Sequence, residues 1–294
     1  MKLATVRSAN KISLAIVDVE NATARLVNSA ADAIAYIGKR NRDLPTGEAI
    51  ALSELELLAP ILAPSKNIMC VGKNYRSHAR EFSRSGFDSS ASSTADDIPS
   101  HPIVFTKPAT SISGPAADIP LIEGLDGAVD YEAELAVVIG KSGRFISRDR
   151  AMEHVFGFTI VNDVTARDLQ KTHKQWFLGK GIDGFCPMGP WITTADELDH
   201  RNLRITCHVN GELRQDGNTA DLIFDVPALI ETISRSVTLQ PGDIIATGTP
   251  EGVGIGFNPP RFLAEGDVVE CSIEGIGSIR NVVRRISIGE LQCS

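Results

Sequence analysis

Short runs of alternating or wholly apolar residues, closed by glycine, proline or Asn–Gly, dominate the hydrophobic pattern of this chain. Leu3, Ile12, Leu14 and Ile16 fall at a spacing of two among polar neighbours, which predicts short strands over residues 1–26. Further strands are expected at 67–71, 102–108, 156–163, 203–210, 244–247, 268–273 and 279–286, with Asn210–Gly211 as a hairpin turn. The stretch 130–139, DYEAELAVVI, is apolar on both faces beyond Glu134, the pattern of a strand inside a packed sheet. Helical patterns are fewer: 30–38, 48–58, the polar run 75–82, 147–155, 164–170 and 225–236. The last carries Val226, Ile230 and Ile233 on one stripe and Pro227 in its first turn. Proline punctuation at 59–65 suggests a small N-terminal domain, 1–65, ahead of a larger body, 66–294. The class is α+β, predominantly β, and no repeat of 20–50 residues is present.

Composition narrows the partners. With 294 residues, 43% hydrophobic and 22% charged, the chain can bury a large core. A formal charge of −8 with no basic run argues against nucleic acid. No apolar run approaches the roughly 18–20 residues that span a bilayer, so no membrane association is expected. The opening residues lack a secretory core, which makes cytoplasmic residence the expectation. Cys70, Cys186, Cys207, Cys271 and Cys293 show no C-x-x-C spacing and suggest neither disulfides nor a zinc–thiolate site.

The candidate chemistry is carboxylate-rich. Glu132 and Glu134 point to one face at the mouth of a buried strand, where a divalent cation would relieve their repulsion. Asp163 ends another strand, at a strand-to-helix junction where it would also serve as an N-cap. Three such oxygens suit Mg²⁺, or Mn²⁺ or Ca²⁺, better than zinc or copper. His78 and Glu81 share a helix face, so the carboxylate can fix the imidazole tautomer and leave one nitrogen as a base. Lys73, Arg76, Lys107 and Lys180 supply charge for an anionic substrate. The Ser/Asp/Ala-rich stretch 83–100 reads as a mobile surface segment and, following the His–Glu pair, as a lid. The glycine-rich loop 248–256 fits neither a P-loop nor a dinucleotide fingerprint, but its amides and Thr249 can bind a carboxylate.

These pieces together resemble the fumarylacetoacetate hydrolase superfamily, in its bacterial acylpyruvase-like branch. The resemblance rests on GKNYRSHARE (72–81), FTKP (105–108), DYEAELAVVI (130–139), NDVTARDLQ (162–170), Gly179–Lys180, Cys186–Pro187 and PGDIIATGTPEGVG (241–254), in family order over about 67–286. It implies a mixed β-sandwich roll with a small N-terminal domain, assembled as a homodimer. It places Glu132, Glu134 and Asp163 as Mg²⁺ ligands, and His78, Glu81 and Lys180 as catalytic residues. Tyr75, Lys107, Gln170 and Thr249 fall on substrate-binding positions, and 79–100 on a closing segment. Where many acylpyruvases carry Arg, this chain has Lys73, which lacks the bidentate fork. The implied reaction is metal-dependent hydrolysis of a C–C bond in a 2,4-dioxo acid by His/Glu-activated water. The alternatives use the same metal enolate: decarboxylation of oxaloacetate, or isomerisation of an unsaturated 2-oxo diacid.

Overall fold

The computed structural model describes residues 1–27, 30–39, 47–88 and 98–292. Within it the chain is mostly β, and its sheets are mixed. The Ala133–Ile139 strand is buried along its whole length and sits in the middle of the largest sheet. It pairs antiparallel with Val155–Asn162 on one side and Ile244–Ala246 on the other. Ile244–Ala246 then runs parallel to Ile68–Gly72, whose other neighbour is Ile103–Lys107. A buried position on both faces explains why this strand reads as continuously apolar. Leu135 and Val137 enter one core with Phe158 and Ile160, joined there by Ile205, Val269, Cys271 and Ile279 of the second large sheet. Ala136 and Val138 face the opposite core, which they share with Leu3, Tyr36, Ile37 and Ile192.

Local signals hold where local chemistry decides. Asn210 and Gly211, with φ of 53° and 79°, make the tight turn between Arg204–Val209 and Glu212–Asn218. The Val226–Ser236 helix is capped by Asp225, which accepts from the Ala228 amide, and buries Val226, Leu229, Ile230 and Ile233. Other expectations are corrected. Residues 48–58 are not a helix but two short strands, Ile50–Ala51 and Glu56–Leu58, around a single 3₁₀ turn. The registers Thr5↔Leu58 and Arg7↔Glu56 pin the second of them, so sheet pairing overrides a modest helical pattern. The first helix is only Ala33–Ile37, and the turn at Arg148–His154 is 3₁₀ rather than α. Of the expected lid segment, 89–97 lies outside the described residues, as does Cys293.

The stretch 130–139 is also interrupted. Val129–Asp130 pairs with Thr165–Ala166, and the main strand starts only at Ala133. Glu132 thus lies in the gap between two strands, where its amide is taken by Asn162 Oδ1 at 3.0 Å. Asp163 does not cap a helix: the helix after it is Arg167–His173, with Ala166 in the cap position. Both departures free a carboxylate from a purely structural duty.

Candidate active site

Four segments converge at the mouth of the central strand. Glu134 comes from the strand itself, Glu132 from the gap before it, and Asp163 from the end of Val155–Asn162. One oxygen from each lies within 4.8 Å of the others, and all three side chains are buried. The Asp163 amide donates to the Glu132 carbonyl at 2.8 Å, which ties the two acid-bearing segments together. Lys180 arrives on the short Phe177–Lys180 helix, packed against Arg167–His173 so tightly that a Cβ at Gly179 would lie 2.6 Å from the Gln170 amide nitrogen. Its Nζ donates to Glu132 Oε2 at 2.6 Å and to Asp163 Oδ2 at 2.7 Å.

Charge is divided unevenly among the three acids. Burial pushes Glu132 up, but Lys180 and Arg167 outweigh it and hold Glu132 at about 2. Burial also pushes Glu134 up, and there Asp163 and Glu132 add to the effect, leaving it well above the ordinary range. Among the described residues Glu134 has one donor to its carboxylate, the Gly248 amide at 2.9 Å. Asp163 Oδ1 is buried and ion-paired with Lys107 Nζ at 2.7 Å, and Lys107 also donates to the Val164 carbonyl at 2.9 Å. A buried carboxylate with one donor, crowded by two further acids, is the environment a hard divalent cation completes. An all-oxygen donor set fits that group.

The His78–Glu81 pair sits on the Arg76–Arg84 helix, whose buried face is His78, Ala79 and Phe82. His78 Nδ1 meets Glu81 Oε2 at 3.1 Å, and Glu81 Oε1 accepts from the Gly252 amide at 2.9 Å. His78, Glu132, Glu134, Gln170, Lys180 and Thr249 line one cavity with Lys73 and Arg167, walled by Phe82, Phe105 and Trp176. Its volume of about 20 Å³ holds roughly one water-sized particle. Lys73 is ion-paired with Asp88.

Not every expected residue reaches the cavity in the same way. Lys107 is fully buried behind Asp163, and the Tyr75 hydroxyl is buried without a hydrogen-bond partner. The Thr249 hydroxyl donates to the Ala133 carbonyl and accepts from Gln215, so the protein itself uses both its functions. Two residues escaped the sequence reading. Arg167, 1% exposed, contacts Glu132 Oε1 at 2.6 Å and donates to Gln170 at 3.1 Å. Asp130, fully buried, accepts from Arg167 Nε at 2.9 Å. The signal was present in the Asp preceding E-x-E and the Arg three residues before Gln170, but charged types in those places usually face solvent.

Comparison with known proteins points to one family. Residues 67–284 match the model of the fumarylacetoacetate (FAA) hydrolase C-terminal family. Oxaloacetate tautomerase YisK of Bacillus subtilis is 51% identical over 234 residues, 79% of this chain and 74% of that protein. A fumarylacetoacetate hydrolase from Exiguobacterium antarcticum superposes with a TM-score of 0.83 at 39% identity, over 97% of this chain and 100% of its own. A 2-hydroxyhepta-2,4-diene-1,7-dioate isomerase from Mycobacterium marinum gives 0.77 at 38%, over 97% and 98%.

Proposed function

The chain belongs to the fumarylacetoacetate hydrolase family, and on that footing we propose that it is a divalent-metal-dependent enzyme that moves a proton on carbon 3 of a 2-oxo acid. Its substrate is an oxaloacetate-like dicarboxylate, interconverted between keto and enol forms. The observation that carries this reading is the 51% identity to an oxaloacetate tautomerase across most of the chain. The likeness to a dienedioate isomerase supports the same elementary step. Carbon–carbon hydrolysis becomes the second reading, favoured by the likeness to a fumarylacetoacetate hydrolase.

Glu132, Glu134 and Asp163 would hold Mg²⁺, with Mn²⁺ or Ca²⁺ suited to the same donors. When bound, that ion supplies a Lewis acid that lowers the cost of negative charge on the substrate's oxygens. His78 moves the proton. With Nδ1 held by Glu81, Nε2 is the atom free to take hydrogen from carbon 3, while the C–H electron pair becomes the C2–C3 double bond. The carbonyl π pair moves onto the 2-oxo oxygen, which takes the proton from His78 Nε2, and the reverse sequence returns the keto form. Lys180 offsets the carboxylate charge, and Phe82, Phe105 and Trp176 form the apolar side of the cavity.

The enol of oxaloacetate, mixed with the protein and Mg²⁺, should lose its ultraviolet absorbance faster than in buffer, and EDTA should stop the effect. No acceleration, together with cleavage of acylpyruvates that carries ¹⁸O from water into the acid product, would put the hydrolase in its place.

A further inference from the structure

The glycine loop 248–256 reads in the sequence as a cradle for a substrate anion, yet its amides are turned to the protein's own carboxylates. The Gly248 N–H donates to Glu134 and the Gly252 N–H to Glu81, each at 2.9 Å. The Gly254 and Ile255 N–H groups donate to Asp130 at 2.6 and 3.2 Å. Glu134 and Glu81 have parts in the proposed reaction, whereas Asp130 has had none. It also accepts from the Tyr131 amide and from Arg167 Nε, each at 2.9 Å, and Arg167 in turn stands 2.6 Å from Glu132. Loop and acids are in close contact. A Cβ at Gly254 would lie 2.7 Å from Asp130 Oδ1, and one at Gly256 would lie 1.7 Å from Glu81 Oε1. The loop is wedged between Asp130 and Glu81.

We infer that Asp130 is a positioning residue for both halves of the site: through the Gly254 and Ile255 amides it fixes the loop that orients Glu81 and His78, and through Arg167 it fixes Glu132. The assignment rests on the roles given to His78 and Glu132 above. A carboxylate is required because every group facing Asp130 in these contacts is a donor. An amide would turn its NH₂ against either the loop or the guanidinium.

In the metal-loaded full chain, Asp130→Asn should lower kcat on oxaloacetate about a hundredfold while KM moves by less than about threefold. Two readouts do not depend on the reaction. Amide hydrogen exchange across 248–256 should quicken, and Mn²⁺ binding, followed by electron paramagnetic resonance, should weaken about tenfold. Combined with Glu81→Gln, the loss in kcat should fall well short of the product of the two single losses, since both act on one loop. If Asp130→Asn does not fold, Gly254→Ala should give the same exchange and Mn²⁺ signatures from the loop side. Unchanged exchange and Mn²⁺ affinity, or strictly multiplying losses, overturn the inference. Altered exchange and affinity in a protein whose wild type leaves oxaloacetate untouched would instead sink the functional reading and leave the positioning role standing.

Discussion

Glu134 and Glu132 are two residues apart and both buried, yet their surroundings push them in opposite directions. Glu132 has Lys180 and Arg167 at 2.6 Å, whereas Glu134 receives the Gly248 amide. A carboxyl whose folded pKa is raised contributes most to stability below its unfolded value, near 4.5, and that contribution fades as pH rises toward the folded value. Metal-free protein should therefore lose melting temperature, relative to Glu134→Gln, as pH climbs from 4.5 upward. At pH 8 in EDTA the variant should melt about 2–6 °C higher, on the order of 1–2 kcal/mol, and Mg²⁺ should reverse the order. Equal melting temperatures in EDTA would contradict this account of Glu134. For turnover, Glu132→Gln and Asp163→Asn should each cost about 10³-fold at any Mg²⁺ concentration reached by titration. Retention of more than a tenth of wild-type activity would exclude them as ligands. The three acids were legible because carboxylates on apolar strands are costly and need a reason. Arg167 and Asp130 were not, because only the folded chain removes them from water.

Element by element, the chain is most legible where backbone chemistry is local. The Asn210–Gly211 turn and the Asp225-capped helix follow from residues within four positions of each other. The break at Tyr131–Glu132 is different. It depends on Val129–Asp130 finding Thr165–Ala166, a pairing that no periodicity in 130–139 encodes. The same holds for the loop 248–256: its alternating glycines were visible, but what they approach was not. Gly256 shows the consequence most plainly, since a methyl group there would sit 1.7 Å from Glu81 Oε1 on the neighbouring helix. Gly256→Ala should displace Glu81, let the His78 ring turn, and reduce kcat about 10- to 100-fold. Mn²⁺ affinity should stay at the wild-type level, because the helix bearing His78 supplies no metal oxygen. Loss of metal binding in this variant would mean that the loop, rather than the His–Glu pair, is the element disturbed.

At the scale of the whole molecule, the site depends on a sheet assembled from distant parts of the chain. The Lys2–Ser8 strand lies against Cys186–Thr194 with Leu3 opposite Ile192, a register spanning nearly two-thirds of the sequence. Thr5 to Arg7 also pair with Glu56–Leu58. The proline run at 59–65 signals a boundary in the sequence, but a local composition shift carries no information about pairing at that distance. Leu3, Tyr36 and Ile37 share a core with Val138 and Val161, on the face of the central strand from which Glu134 projects. Removing residues 1–65 would bare the edge of Cys186–Thr194 and uncover that core, exposing unpaired backbone and apolar surface together. The chain 66–294 should accordingly lose cooperative thermal unfolding and run as aggregate in size-exclusion chromatography. A monodisperse species melting within about 5 °C of the full chain would show instead that the first strands are an appendage, and that the strand carrying Glu134 keeps its place without them.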